Sequence, residues 1–211
     1  VAPLPQLADI ASAHGAWLMV DDAHGLGVTG PGGRGTVAQA GLGLEQVPIL
    51  MGTLGKAVGT FGAFVAGSDE LVETLIQEAR TYLYTTASPA ALACATRVAL
   101  QLLQQEDGRR QHLQHLVTRF RRGAQQLGLA LGESQTPIQP LITGTAAAAL
   151  RLAQALRERG ILITAIRPPT VAADQSRLRI TFSAAHSEQQ VDRLLLALED
   201  LMASGKATGC G

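Results

Sequence analysis

Lys56 is a lone cation in the stretch "LMGTLGKAVGTFGAF", among small and apolar residues with glycines at 52, 55, 59 and 62. Apolar surroundings favour a neutral amine, and a neutral lysine amine can attack a carbonyl carbon to form a Schiff base. Thr53 offers a hydroxyl three residues earlier. Asp21 and His24 close the stretch "WLMVDDAH", where an apolar run ends. From a strand end a carboxylate and an imidazole spaced in this way can reach one bound ring.

A carbonyl-reactive lysine, a carboxylate and a donating imidazole are the groups that pyridoxal phosphate (PLP) needs. Its aldehyde takes the lysine. Its ring nitrogen takes the carboxylate, which keeps it protonated so that the ring can act as an electron sink. Its phenolic oxygen accepts from the histidine. A charge pair at about 4 Å, at an effective dielectric near 20, is worth roughly 4 kcal/mol, which is ample to hold the protonated ring.

A competing signal overlaps this set. Gly25 to Gly30, "GLGVTG", matches the G-x-G-x-x-G of dinucleotide sites. That loop must open directly into a helix whose N-terminus holds pyrophosphate. Here "PGGRG" follows, which opposes a helix, and Asp21 and Asp22 would repel the anion. The glycines are better read as a sharp turn that leaves room beside a planar group.

These residues need a scaffold, and the pattern supplies an α/β one. A helix over 6–14 precedes the apolar run Trp17–Val20, which reads as a strand buried on both faces. Further strands are expected at Val47–Met51 and Gly62–Ala66, followed by a helix capped by Ser68. Alternation of strands and helices implies a mainly parallel sheet. A long helix starts at Ser88-Pro89 and breaks at Asp107-Gly108. Beyond it lie a basic helix over 109–127, the segments "PIQPLIT" and "ILITAI", and a helix over 145–159 stopped by Gly160. "RLRITFS" alternates with period two, so Arg177 and Arg179 share a face opposite Leu178 and Ile180. Ser187 and Gln190 form a capping box for a last helix to about Ala203. The division is therefore 1–107, a smaller α+β domain over 108–205, and a Gly-rich tail over 206–211.

Composition narrows the partners. The 211 residues carry 17 Lys+Arg and 17 Asp+Glu, and 46% are hydrophobic. A chain without net charge offers no global field for nucleic acid, and no apolar run is long enough to span a membrane. Cys94 and Cys210 fit no metal or redox spacing and read as a core thiol and a tail thiol of a reducing compartment. His112 and His115, like Arg119, Arg121 and Arg122, read as solvated helix residues, and no metal site is expected. The start lacks a signal sequence and a Met, which suggests the middle of a longer cytoplasmic protein.

Four separated stretches, "VDDAHGLGVTGPGGRG", "TLGKAVGTFGAF", "YLYTTASPAALA" and "AIRPPTV…RLRITFSAAH", together resemble the α-oxoamine synthases, PLP enzymes of fold type I. The resemblance spans essentially the whole chain and implies part of a PLP-binding large domain over 1–107 with a small C-terminal domain. It implies that Lys56 binds the cofactor aldehyde, Asp21 its ring nitrogen, His24 its phenolic oxygen and Thr53 its phosphate. Thr85 and Thr86 would reach the phosphate in the neighbouring subunit of a homodimer. Arg179 would hold an amino-acid carboxylate in the bidentate manner that suits guanidinium. Thr170 would line the acyl site with Arg167, although Arg167 reads equally as a surface residue before Pro168.

The reaction implied is condensation of L-alanine with a pimeloyl thioester, on coenzyme A or a carrier protein. Decarboxylation would then give 8-amino-7-oxononanoate, a step of biotin synthesis. A sibling using glycine and acetyl-CoA is the alternative, disfavoured by "DDAHG" and "AIRPPTV". A non-catalytic fragment is another, since full members are about twice as long and would add a ring-stacking histidine. "AAD" follows "RPPTV" where relatives usually have a Pro and a Gly.

Overall fold

The computed structural model describes residues 1–203, so Cys210 and the tail 206–211 lie outside the described residues. The chain divides into two compact units, with the boundary between Asp107 and Gly108.

The first unit runs α1 (Leu4–Ala13), β1 (Met19–Asp21), a 3-10 turn (Pro31–Gly33), α2 (Thr36–Gln39), β2 (Ile49–Thr53) and β3 (Ala63–Ala66). Three helices follow: α3 (Asp69–Glu78), α4 (Arg80–Leu83) and α5 (Ala90–Gln105). β1 and β2 are parallel, with Met19 opposite Ile49 and Asp21 opposite Met51. β2 and β3 are antiparallel, with Thr53 opposite Ala63. The mainly parallel arrangement expected from the sequence thus holds for one of the two pairs. Only residues 54–62 join β2 to β3, too few for the crossover that a parallel pair requires. Ser68 caps α3, its Oγ accepting from Leu71 N at 3.3 Å.

The core cluster of this unit is small, comprising Leu4, Val20, Val37 and Val47. Val20 is buried against Leu4, Val37 and Val47, while among the described residues Met19 is 55% and Trp17 75% exposed. Cys94 is corrected: it is exposed on α5 and not a core thiol.

The second unit comprises α6 (Asp107–Gln126), β4 (Ile138–Gly144), α7 (Ala146–Glu158), β5 (Thr164–Ile166), β6 (Ser176–Thr181) and α8 (Glu188–Ala203). The sheet order is β4-β6-β5, antiparallel throughout. Period-two alternation turns Leu178 and Ile180 inward. They meet the helical stripes Leu116-Phe120-Ala124, Leu152-Leu156 and Val191-Leu194-Leu198-Leu201. Phe120 and Phe182 pack with ring centroids 5.2 Å apart. Thr145 Oγ1 accepts from Ala148 N at the start of α7. Ser187 and Gln190 exchange bonds of 2.8 and 3.3 Å at the start of α8, which completes the capping box.

The basic face of α6 is not simply solvated. Arg119 forms a bidentate pair with Asp192 of α8 at 2.7 and 2.8 Å and also reaches Glu188. His115 lies 3.3 Å from Glu188, and His112 Nε2 donates to the His186 carbonyl at 2.9 Å. Arg121 NH1 donates to the Gly132 and Ser134 carbonyls and to Gln139 Oε1. The basic residues of α6 therefore fasten α8 and the connection into β4. Among the described residues no His/Cys/Asp/Glu group could hold a metal, and no helix is long and apolar enough to cross a membrane.

The Arg119 hydrogen bonds hold the Asp192 carboxyl below the usual aspartate range. A depressed acid stabilises above its unfolded value, near 4, and that stability disappears as pH falls through the folded value. Asp192→Asn should therefore lower the melting temperature at pH 7. The gap to the parent should close below about pH 4 in a thermal-unfolding series.

Candidate active site

The end of β1 and the end of β2 form one edge, because the two strands are parallel. In α/β sheets ligands bind outside the carboxyl ends of such strands. Asp21 is the last residue of β1 and Thr53 the last of β2. Asp21 Oδ1 accepts from Ala23 N at 3.0 Å, which closes the chain into the turn that carries His24 on the surface. The Thr53 Oγ1 atom is buried without a hydrogen-bond partner. Such an atom costs roughly 1–3 kcal/mol unless something accepts from or donates to it.

Lys56 follows Thr53 in a tight turn. Gly59 N donates to the Lys56 carbonyl at 3.0 Å, and Leu54 N and Thr60 N close the turn on Gly62 O and Leu54 O. The expectation of an apolar pocket around the lysine is corrected: Lys56 is exposed, on the outside of the turn. The turn touches the loop after β1. A Cβ on Gly27 would lie 2.8 Å from the Ala57 Cβ and 3.0 Å from Leu103 of α5. Asp21, His24, Thr53 and Lys56 are thus assembled on two loops in contact at one edge of the sheet.

Asp22, which the sequence did not single out, builds that edge. It is only 6% exposed. Its carboxylate accepts from Thr36 N at 2.6 Å and from Thr36 Oγ1. A Cβ on Gly25 would lie 2.0 Å from Asp22 Oδ1, and one on Gly35, at φ +96°, 2.0 Å from Oδ2. On Gly30 it would lie 2.3 Å from the Gly35 carbonyl. These glycines make room for the loop's own packing. As expected, no α-helix opens at Gly30; a three-residue 3-10 turn does. The signal available in the sequence was the second aspartate beside the first, which strand alternation places on the other face.

The remaining candidates stand elsewhere. Thr85 and Thr86 lie in an exposed stretch after α4, flanked by exposed Tyr82, Leu83 and Tyr84. In the second unit Arg179 is exposed on the outer face of β6, between Pro140 of β4 and Thr164 of β5. Arg177 shares that face, and its Nε donates to the Gln175 carbonyl. Arg167 is exposed just past β5, and Thr170 N donates to its carbonyl at 3.1 Å. In the "AAD" segment Asp174 takes φ +60°, a conformation that glycine adopts freely and aspartate tolerates.

The family model for aminotransferase class I and II matches residues 1–198, and the chain belongs to that family. It is 62% identical over 209 residues to an 8-amino-7-oxononanoate synthase of Thioalkalivibrio sulfidiphilus, covering 99% of this chain and 53% of that one. The 8-amino-7-oxononanoate synthase of Francisella tularensis superposes with a TM-score of 0.83 at 31% identity, over 94% of this chain and 58% of that one. Serine palmitoyltransferase from S. paucimobilis, with a bound PLP-myriocin aldimine, gives a TM-score of 0.88 at 30% identity, over 99% and 52%. The chain spans about half the length of the curated relatives it matches. These structural neighbours are PLP-dependent transferases of fold type I, and this chain shares that fold over part of the domain.

Gly35→Ala should drive a methyl group into Asp22 and strain a left-handed position. A destabilisation of roughly 2–3 kcal/mol is expected by denaturant unfolding. Gly32→Ala, where a Cβ meets nothing within 4 Å, should cost no more than about 1–2 kcal/mol, from its left-handed φ alone. Asp174→Gly should leave stability equal or up to about 1 kcal/mol higher in the same assay, and Asp174→Val should lose about 1–2 kcal/mol.

Proposed function

We propose that this chain is part of a PLP-dependent acyltransferase that condenses L-alanine with a pimeloyl thioester, with loss of carbon dioxide, to give 8-amino-7-oxononanoate. The observation that carries this reading is the assembly of Asp21, Lys56 and the unpartnered buried Thr53 hydroxyl at the carboxyl ends of a parallel strand pair. The likeness to 8-amino-7-oxononanoate synthases at 62% identity supports this choice of product.

The residues fit the cofactor. Thr53 Oγ1 would donate to a phosphate oxygen, giving its buried hydroxyl a partner. Asp21, with one oxygen engaged by Ala23 N, would present the other to the ring nitrogen and keep a proton there. His24, exposed at the turn, would donate to the phenolic oxygen. Lys56 Nζ would hold the aldehyde carbon and move the substrate's α-proton at that same atom. Bound PLP supplies an electron sink for the carbanion left at the alanine α-carbon. Arg179 would hold a substrate carboxylate, and Thr170 with Arg167 would line the acyl site.

We propose a homodimer, in which Thr85 and Thr86 of one protomer reach the phosphate held by its partner. The exposed aromatic residues Tyr82 and Tyr84 around them support a protein-facing surface. A second reading, a sibling enzyme with another amino acid and acyl group, draws on the serine palmitoyltransferase likeness. The 62% identity to curated 8-amino-7-oxononanoate synthases supports the first.

With PLP added, the protein should show an absorbance band that Lys56→Ala removes. Asp21→Asn should lower turnover of L-alanine with pimeloyl-CoA by about 10²-fold or more. Turnover of glycine with acetyl-CoA, and none with alanine and a pimeloyl thioester, would overturn the substrate reading. Absence of any Lys56-dependent band would favour a non-catalytic role.

A further inference from the structure

Helix α5 has no fully buried residue, yet Leu92, Thr96, Ala99 and Leu103 are half-buried along it. The spacing of four, three and four draws one stripe on one face of a helix. Two points of that stripe meet the two loops of the candidate site. Leu103 packs where a Cβ on Gly27 would lie, in the loop that follows Asp21 and His24. Thr96 Oγ1 lies 2.9 Å from Thr60 Oγ1, in the turn that carries Lys56.

That second contact is part of a closed set. Thr60 N donates to the Leu54 carbonyl at 2.8 Å, and Thr60 Oγ1 lies 3.3 Å from the same carbonyl. Thr96 Oγ1 donates to Leu92 O at 2.8 Å, so the hydroxyl can accept from Thr60 while its own proton is used. Leu54 and Thr60 bracket Lys56, and the Gly59–Lys56 bond lies inside the bracket. The Lys56 turn is therefore fixed to α5 by one side chain at its closing end. Apolar contacts hold Ala57 on its other side.

From this geometry we infer that Thr96 is a positioning residue for Lys56: it acts through Thr60 to hold the turn in the conformation that presents the Lys56 amine. The inference rests on the PLP reading of Lys56. Thr96 touches neither substrate nor cofactor in this assignment. A valine keeps its shape without the hydroxyl, and a serine keeps the hydroxyl.

Two readouts test it in the full chain. In Thr96→Val, amide hydrogen exchange over residues 54–62 should speed up about fivefold, the loss of one modest hydrogen bond, while α3 keeps its protection. The pH midpoint of the Lys56-dependent PLP absorbance should shift in the same variant. Thr96→Ser should restore both. Unchanged exchange in Thr96→Val, or equal loosening in Thr96→Ser, would overturn the anchor. Faster exchange with an unmoved midpoint would overturn the positioning role and leave Thr96 merely structural. A parent protein with no Lys56-dependent band would overturn the cofactor reading and the positioning role together, a result distinct from either of the others.

Discussion

A carboxylate taken out of water must be matched by donors, and Asp22 meets that demand within a span of fourteen residues. Its two oxygens take the Thr36 amide and hydroxyl. This bond set pins the end of β1 to the start of α2 and folds everything between into a compact loop. The two glycines that face the carboxylate are a consequence of it, since a side chain at Gly25 or Gly35 would occupy the same space. Asp21 ends β1 exposed, and the chain turns inward at the next residue, Asp22. The candidate site is presented outward by a bond directed inward.

The same edge depends on a second loop being held. β2 ends at Thr53 and returns as β3 after nine residues, so the chain must turn sharply at Lys56. Contacts with Gly27 on one side and with α5 on the other restrict that turn. Among the described residues of this unit, specific polar bonds and close backbone approach fix the two loops of the site.

Much of the local structure was legible from short-range rules. The Ser68 and Thr145 caps, the Ser187–Gln190 box and the alternation of "RLRIT" all depend on residues within a few positions of each other. What was not legible depends on distant partners. Arg119 meets Asp192 across 73 positions, so nothing near it in the sequence distinguishes it from a solvated arginine. In the candidate site, the grouping of Lys56 with Asp21 and His24 followed from chemistry. The roles of Asp22, Thr60 and Thr96 did not, because each is defined by a contact made only after the loops have closed.

The two units differ in how much they bury. Among the described residues the core cluster under the helix-covered sheet of the second unit holds sixteen buried apolar side chains, while that of the first holds four. Free energy of opening follows buried apolar area, so among the described residues the sheet and helices of the second unit have the most apolar packing holding them closed.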